Sequence, residues 1–195
     1  PTDRVMYQAQ EVAAVIATFG VSATFELLLG NGDGTLQPTT RLTELTNATV
    51  NLAVADFNRD GNVDLAYTDT SGNKLKVALG NGNGTFQAPV STTIPAGVHR
   101  VTSADIDDDG VHDIILVLSQ QFLPSSLQFL RGVGDGTFDT PMTFAPGLPF
   151  PFVSLAIDDF DGDGKPDVAA VDGAKLNIFS GRGDGTFAAP LQIAA

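Results

Sequence analysis

The sequence contains no cysteine. Disulfides, thiolate nucleophiles and cysteine-based zinc sites are therefore excluded. A chain without cysteine suits any compartment, so this absence says nothing of secretion. Basic residues are scarce: 10 Lys and Arg stand against 23 Asp and Glu, for a formal net charge of −13. A field of that sign repels phosphate backbones and anionic lipid, which argues against nucleic-acid and membrane-surface binding. No apolar run approaches the roughly 20 residues that span a bilayer, and Val12 to Phe19 falls well short, so no membrane insertion is expected. No secretory leader is visible, and with Pro1 as the first residue the reading allows for a leader or further sequence removed ahead of it. No segment has the apolar spacing of an amphipathic helix.

What remains is a chain of 195 residues with an ordinary apolar share of 43% and 21 glycines. That is enough to bury a core, with a composition suited to many tight turns. The acids are unevenly spread and crowd into three short loops.

Internal repetition is the strongest signal. Leu29-Gly-Asn-Gly-Asp-Gly-Thr-Leu36 returns as Leu79-Gly-Asn-Gly-Asn-Gly-Thr-Phe86, then in Leu130 to Phe138 and in Phe179 to Phe187. The spacing is 50 residues from Leu36 to Phe86, 52 to Phe138 and 49 to Phe187. Asn-Gly and Asp-Gly supply the positive φ angles of tight hairpins. Strand-like runs flank each block. Those before it are Phe25 to Leu29, Leu75 to Leu79, Leu127 to Leu130 and Leu176 to Phe179, and those after it end near Thr43, Thr93, Phe144 and Ile193. Upstream, Asn51 to Ala55 pairs with Asp64 to Thr68, Val101 to Ala104 with Asp113 to Leu118, and Val153 to Ile157 with Asp167 to Val171. Four short strands per repeat is the pattern of a propeller blade. The expected fold is all-β: one β-propeller domain over residues 1–195, with four-stranded antiparallel blades at about 1–45, 46–95, 96–147 and 148–195. The first repeat departs from the others. Its strands are expected at Val5 to Tyr7 and Glu11 to Thr18, with no acidic loop between them.

The acidic loops join the first two strands of the other three blades and share the pattern D-x-[DN]-x-D-G-x-x-D. The first places Asp56, Asn58, Asp60, Asn62 and Asp64 at positions 1, 3, 5, 7 and 9. The second has Asp105, Asp107, Asp109, Val111 and Asp113, and the third Asp159, Asp161, Asp163, Lys165 and Asp167. Ca²⁺ takes six to eight oxygens at about 2.3–2.6 Å, and side chains at positions 1, 3 and 5 of a tight loop can converge on one ion. Glycine at position 6 permits the turn that brings in the position 7 carbonyl, and the position 9 carboxylate closes the shell in bidentate fashion. Mg²⁺ demands stricter octahedral geometry. Carboxylates this close repel one another unless a cation sits among them. The expectation is about three structural Ca²⁺ ions.

These loops and hairpins resemble the FG-GAP, or VCBS-type, repeats of integrin-α-like β-propellers. The resemblance is strong from about Val50 to Ile193 and weak before Leu45. It implies an extracellular or cell-surface recognition or adhesion module that binds a protein or glycan. The family includes adhesion receptors, lectins and noncatalytic domains of larger enzymes. Its propellers usually have seven blades. A closed ring of four blades is favoured here, with a larger ring or homo-oligomeric closure as the alternative.

In the family's geometry the loops joining successive blades lie away from the Ca²⁺ loops. Stretches Thr92 to Arg100, Gln120 to Ser126 and Phe144 to Phe152 are read as such connections. They nominate His99, Arg100, Phe122, Phe150 and Phe152 as a ligand face, through stacking or anchoring contacts. His112, a nonligand residue of the second acidic loop, is expected at the surface. Arg182-Gly183-Asp184 spells an integrin-recognition tripeptide, but it occupies a hairpin turn and is read as one. Adjacent carboxylates such as Asp158 and Asp159 invite comparison with glycosidases. The metal pattern already accounts for them, and no Ser-His-Asp grouping is evident, so no enzymatic activity is expected. The alternatives are a structural or assembly segment or, as the resemblance implies, a noncatalytic accessory domain of a carbohydrate-acting enzyme.

Overall fold

A computed structural model describes residues 12–18, 24–29, 35, 40–42, 48–69, 73–119, 125–148, 154–171 and 175–194. Among them there are strands and turns, and no helix long and apolar enough to cross a membrane. The first sheet orders β1 (Val12–Thr18), β2 (Thr24–Leu29) and β3 (Thr40–Leu42). The second orders β4 (Ala48–Ala55), β5 (Asp64–Asp69), β6 (Lys74–Ala78) and β7 (Val90–Thr93). The third holds β8 (Val98–Ala104), β9 (Asp113–Leu118), β10 (Ser125–Leu130) and β11 (Met142–Leu148). The fourth holds β12 (Ser154–Asp158), β13 (Asp167–Val171), β14 (Lys175–Phe179) and β15 (Leu191–Ala194). Every sheet is an antiparallel meander in chain order, and the three four-stranded ones are the blade expected from the repeats. The strand expected at Val5 to Tyr7 lies outside the described residues.

Strand direction fixes which end of a blade each turn occupies. The chain alternates, so the β4–β5 and β6–β7 turns share one end. The β5–β6 turn and the connection to the next blade share the other. Acidic loops and glycine hairpins thus meet at one end by topology alone.

Two strands depart from the sequence expectation. β11 continues to Leu148, four residues beyond Phe144 and through Pro146. It is an edge strand, where proline breaks no ladder, and register shifts against β10 absorb the irregularity. β8 starts at Val98 because Val98 pairs with Leu118 and Arg100 with Val117, around an irregularity at His99. His99 and Arg100 therefore belong to a strand, not to a loop.

The core lies between blades. β9 is buried along its whole length, which explains its unbroken apolar reading. Ile114, Leu116 and Leu118 pack in a cluster with Phe57, Leu75 and Phe138 toward the second blade. Ile115 and Val117 point to the other face, against Phe129 and Val168. Phe144 of β11 stacks on Phe187 at 4.2 Å and meets Phe179 edge-on at 5.6 Å, sealing the joint to the fourth blade. At the opposite joint β4 lies against β8.

Position 2 of each acidic loop reports whether a blade is covered. Phe57 and Ile106 are each 1% exposed, whereas Phe160 is 45% exposed. The cover comes from the following blade. Phe138 meets Phe57 edge-on at 5.6 Å, the Gly136 N–H donates to the Phe57 carbonyl at 3.1 Å, and Phe187 packs against the Ile106 cluster. Among the described residues no such cover reaches Phe160, and Leu191 and Ile193 of β15 are exposed as well.

Candidate metal centres

The three acidic loops share one framework of backbone bonds. In each, the position 1 carboxylate accepts from the N–H groups of positions 5 and 6. The distances are 3.2 and 2.8 Å to Asp56, 3.1 and 2.9 Å to Asp105, and 3.2 and 2.9 Å to Asp159. The position 5 carboxylate accepts from the position 7 N–H: Asn62 to Asp60 at 2.7 Å, Val111 to Asp109 at 2.8 Å and Lys165 to Asp163 at 2.9 Å. Gly61, Gly110 and Gly164 adopt the positive φ that the sequence assigns to position 6. Position 4 is left-handed too, at φ 60° for Arg59, 58° for Asp108 and 80° for Gly162. Only the glycine of the third loop hinted at that, since Arg and Asp rarely adopt the conformation.

Position 9 is a rivet between loop and hairpin. Asp64, Asp113 and Asp167 are fully buried. One oxygen of each accepts from the position 2 N–H of its own loop, at 2.8, 2.8 and 3.0 Å. The other accepts from the first hairpin glycine: Gly80 at 2.7 Å, Gly132 at 2.7 Å and Gly181 at 2.8 Å. The sequence reading gives these acids a metal-facing role alone; the structure commits both oxygens to backbone donors, each keeping a lone pair. Burial pushes the Asp113 carboxyl up to about 6, aided by Asp107 and Asp109 and opposed by its two backbone bonds. Burial raises Asp64 in the same direction. The exposed Asp159 is held below its usual range, first by the Gly164 N–H.

The donor set suits a hard divalent cation. Oxygens of Asp105, Asp107 and Asp109 lie within 4.8 Å of one another, as do those of Asp159, Asp161 and Asp167. Oδ1 of Asp107 is buried without a hydrogen-bond partner, a position an ion would satisfy. In the first loop Asn58 stands where the other two loops have Asp107 and Asp161, and its amide donates to Asp60 at 3.0 Å. These residues fit Ca²⁺, with oxygens only and no soft ligand.

Three basic residues touch the loops, and the sequence reading passed over two of them. Arg131 donates Nε to Asp107 at 2.6 Å and Nη2 to Asp109 at 2.8 Å. Arg59 reaches from the first loop to the carbonyls of Asp109 and Gly110 in the second. Lys165 sits 3.3 Å from Asp163.

Other nominated residues fall elsewhere. His99 and Arg100 are exposed on β8. Phe122, Phe150 and Phe152 lie outside the described residues. The connection holding Phe122 joins β9 to β10 within one blade and is not interblade, although it shares that end of the sheet. Ile94, within the Thr92 to Arg100 stretch, belongs to the core. His112 is partly buried beside Phe57, its ring 6.4 Å away, and not at the open surface. In the Arg182–Asp184 turn, Asp184 accepts from the Thr186 N–H at 2.9 Å and hydroxyl at 2.6 Å. Asn83 and Asp135 hold Thr85 and Thr137 the same way, so the tripeptide is a hairpin cap.

Successive four-stranded blades, each riveted to a glycine hairpin through an acidic loop, define a propeller-type repeat array. The chain belongs to the FG-GAP-like repeat family, which matches residues 11–67, 56–116, 105–170 and 159–195. Three of those matches begin at Asp56, Asp105 and Asp159, the first residue of each acidic loop. The chain is similar to cartilage acidic protein 1 of Xenopus tropicalis, 28% identical over 173 residues, covering 80% of this chain and 27% of that protein. It thus spans about a quarter of that relative's length. Its fold is similar to a lectin from Agrocybe aegerita whose structure describes recognition of non-reducing terminal N-acetylglucosamine. The TM-score is 0.62 at 19% identity, over 89% of this chain and 48% of that one.

Proposed function

We propose that this chain is a calcium-stabilised recognition module, working outside the cell or on its surface and binding a protein or glycan. One observation carries the reading: all three loops fold their first carboxylate onto the same backbone donors, and in the second and third the acid oxygens gather within 4.8 Å, with Asp107 Oδ1 left buried and unpartnered. Side chains at positions 1, 3, 5 and 9 and the position 7 carbonyl would hold each ion. A bound Ca²⁺ supplies positive charge that relieves repulsion among the acids. The protein's own part is to tie that loop to the hairpin through Asp64, Asp113 or Asp167. Loops of this kind commonly bind in the millimolar range, which suits calcium levels outside cells.

The ligand is assigned to the blade end opposite the acidic loops, where the β5–β6-type turns and interblade connections gather. Exposed His99 and Arg100 at the start of β8 supply polar contacts there. The likeness to a lectin fold and the relative's name are compatible with this role. No catalytic role is proposed, because the clustered acids are engaged in holding the loops.

Thermal unfolding with and without chelator tests the calcium part: removal is expected to lower the melting temperature, and an unchanged melt rejects it. A glycan array and a pull-down, compared with His99→Ala/Arg100→Ala, test the ligand part. A second reading, an assembly segment, draws on the exposed Phe160. It predicts a stable multimer by light scattering with no glycan signal.

A further inference from the structure

We infer that Arg131 is a built-in counter-ion of the second acidic loop, holding it together without metal and lowering its affinity for Ca²⁺. The inference rests on the calcium reading above. Arg131 stands immediately before hairpin glycine Gly132, in the column occupied by Leu79 and Ser180 in the neighbouring blades. Only this blade places a charge there. The rivet from Gly132 to Asp113 anchors the backbone of Arg131 beside the loop, so its side chain needs little ordering to reach the acids.

The guanidinium takes the oxygens an ion would use. It binds Oδ2 of Asp107 and Oδ2 of Asp109, the side chains at positions 3 and 5. Asp109 Oδ1 already accepts from Val111, which leaves Asp107 Oδ1 as the open site. The two partners differ in their access to water: the Arg131 side chain is 49% exposed and that of Asp107 only 8%. The arginine head can swing into solvent, whereas the acid cannot follow. Calcium therefore enters either against a neighbouring positive charge or after two charge-assisted bonds break.

The other loops lack this competition. Lys165 in the third touches Asp163 alone, and Asp159, Asp161 and Asp167 converge without it. Arg59 in the first turns away to the carbonyls of the second, where it also lies 3.5 Å from Asp109 Oδ1 and adds positive charge beside Arg131. The second loop is also the most acidic, since Asp108 adds a carboxylate between Asp107 and Asp109. Arg131 thus stands where self-repulsion is greatest.

The test uses the full chain labelled with ¹⁵N-glycine and titrated with CaCl₂. Gly61, Gly110 and Gly164 each donate to the first aspartate of their own loop, so each amide reports one site. In Arg131→Leu and Arg131→Ser, the Gly110 midpoint is expected to fall about two- to fivefold, the size of a partly exposed charge contact. The Gly61 and Gly164 midpoints should stay in place, and the metal-free variants should melt below the parent. Arg131→Lys, which keeps the charge but loses the planar fork, should fall between them. An unmoved Gly110 midpoint in both neutral variants, with Gly61 and Gly164 still responding, overturns the inference and leaves the calcium reading standing. A shift in the leucine variant alone assigns the effect to packing and also overturns it. If no glycine responds to calcium, both readings fall together.

Discussion

The N–H of Gly132 donates to Oδ1 of Asp113 across 2.7 Å, although the two residues stand 19 positions apart. A Cβ on Gly132 would lie 2.5 Å from the His112 carbonyl oxygen and 2.6 Å from Val111 Cγ1. Backbone cannot yield there without parting the bond. Gly132→Ala should therefore lose about 2–4 kcal/mol of stability. Gly162→Ala meets nothing within 4 Å and suffers only from its left-handed φ, so about 1 kcal/mol is expected. Urea denaturation of both variants checks this, and equal losses would refute the role of close approach.

Phe57 and Phe160 occupy the same place in two loops with opposite surroundings. Phe57→Ala should cost about 3–5 kcal/mol, the range for a buried aromatic. Phe160→Ala should change stability by less than about 1 kcal/mol, since the ring is already 45% exposed. Thermal unfolding of the two variants reads the difference directly.

A pH dependence follows from Asp113, whose carboxyl burial raises to about 6. An unfolded aspartate titrates near 3.9. Between those values the folded metal-free protein holds a proton that the unfolded chain releases, so this group's contribution to stability falls as pH rises from about 4 to 6. Above about 6 it is level. Asp159 and Asp184, held low by hydrogen bonds to Gly164 and Thr186, stabilise the fold above about 4 and act outside that window. Chemical denaturation of metal-free protein at pH 4.5, 5.5 and 6.5 should show the decline, and Asp113→Asn should reduce it, leaving the part contributed by Asp64, which burial raises in the same direction. Calcium affinity should run the other way, rising with pH up to about 6.

The Arg182–Asp184 turn makes a separate prediction. Asp184→Asn reproduces the cap that Asn83 already forms and should leave the melting temperature nearly unchanged. Asp184→Ala strips both bonds from Thr186 and should cost about 1 kcal/mol. If the asparagine and alanine variants melt alike, the carboxamide is not an adequate cap.

Blades and acidic loops were legible in the sequence because both depend on local chemistry. Asx-Gly pairs make turns wherever they stand, and three copies of one nonapeptide repeat one geometry. What stayed hidden joins distant residues. Nothing local in Asp64 announces a bond to Gly80, and nothing in Arg131 separates an acid-pairing arginine from a solvated one. The signal was available in alignment of the repeats: Arg131 is the charged residue among Leu79 and Ser180, and Gly162 marks the left-handed position shared with Arg59 and Asp108. The sequence places His99 and Arg100 in the Thr92 to Arg100 connection, yet pairing with β9 carries the strand back through both residues. Phe122 was assigned to the wrong kind of connection because loop length alone does not tell a turn within a blade from a crossing between blades.

The covering of Phe57 by Phe138, and of Ile106 by Phe187, always comes from the repeat that follows. The array consequently has polarity, like a strip of hook and loop with hooks at one edge only. A hairpin phenylalanine brought to Phe160 in the same sense would extend the array in the direction its joints already run.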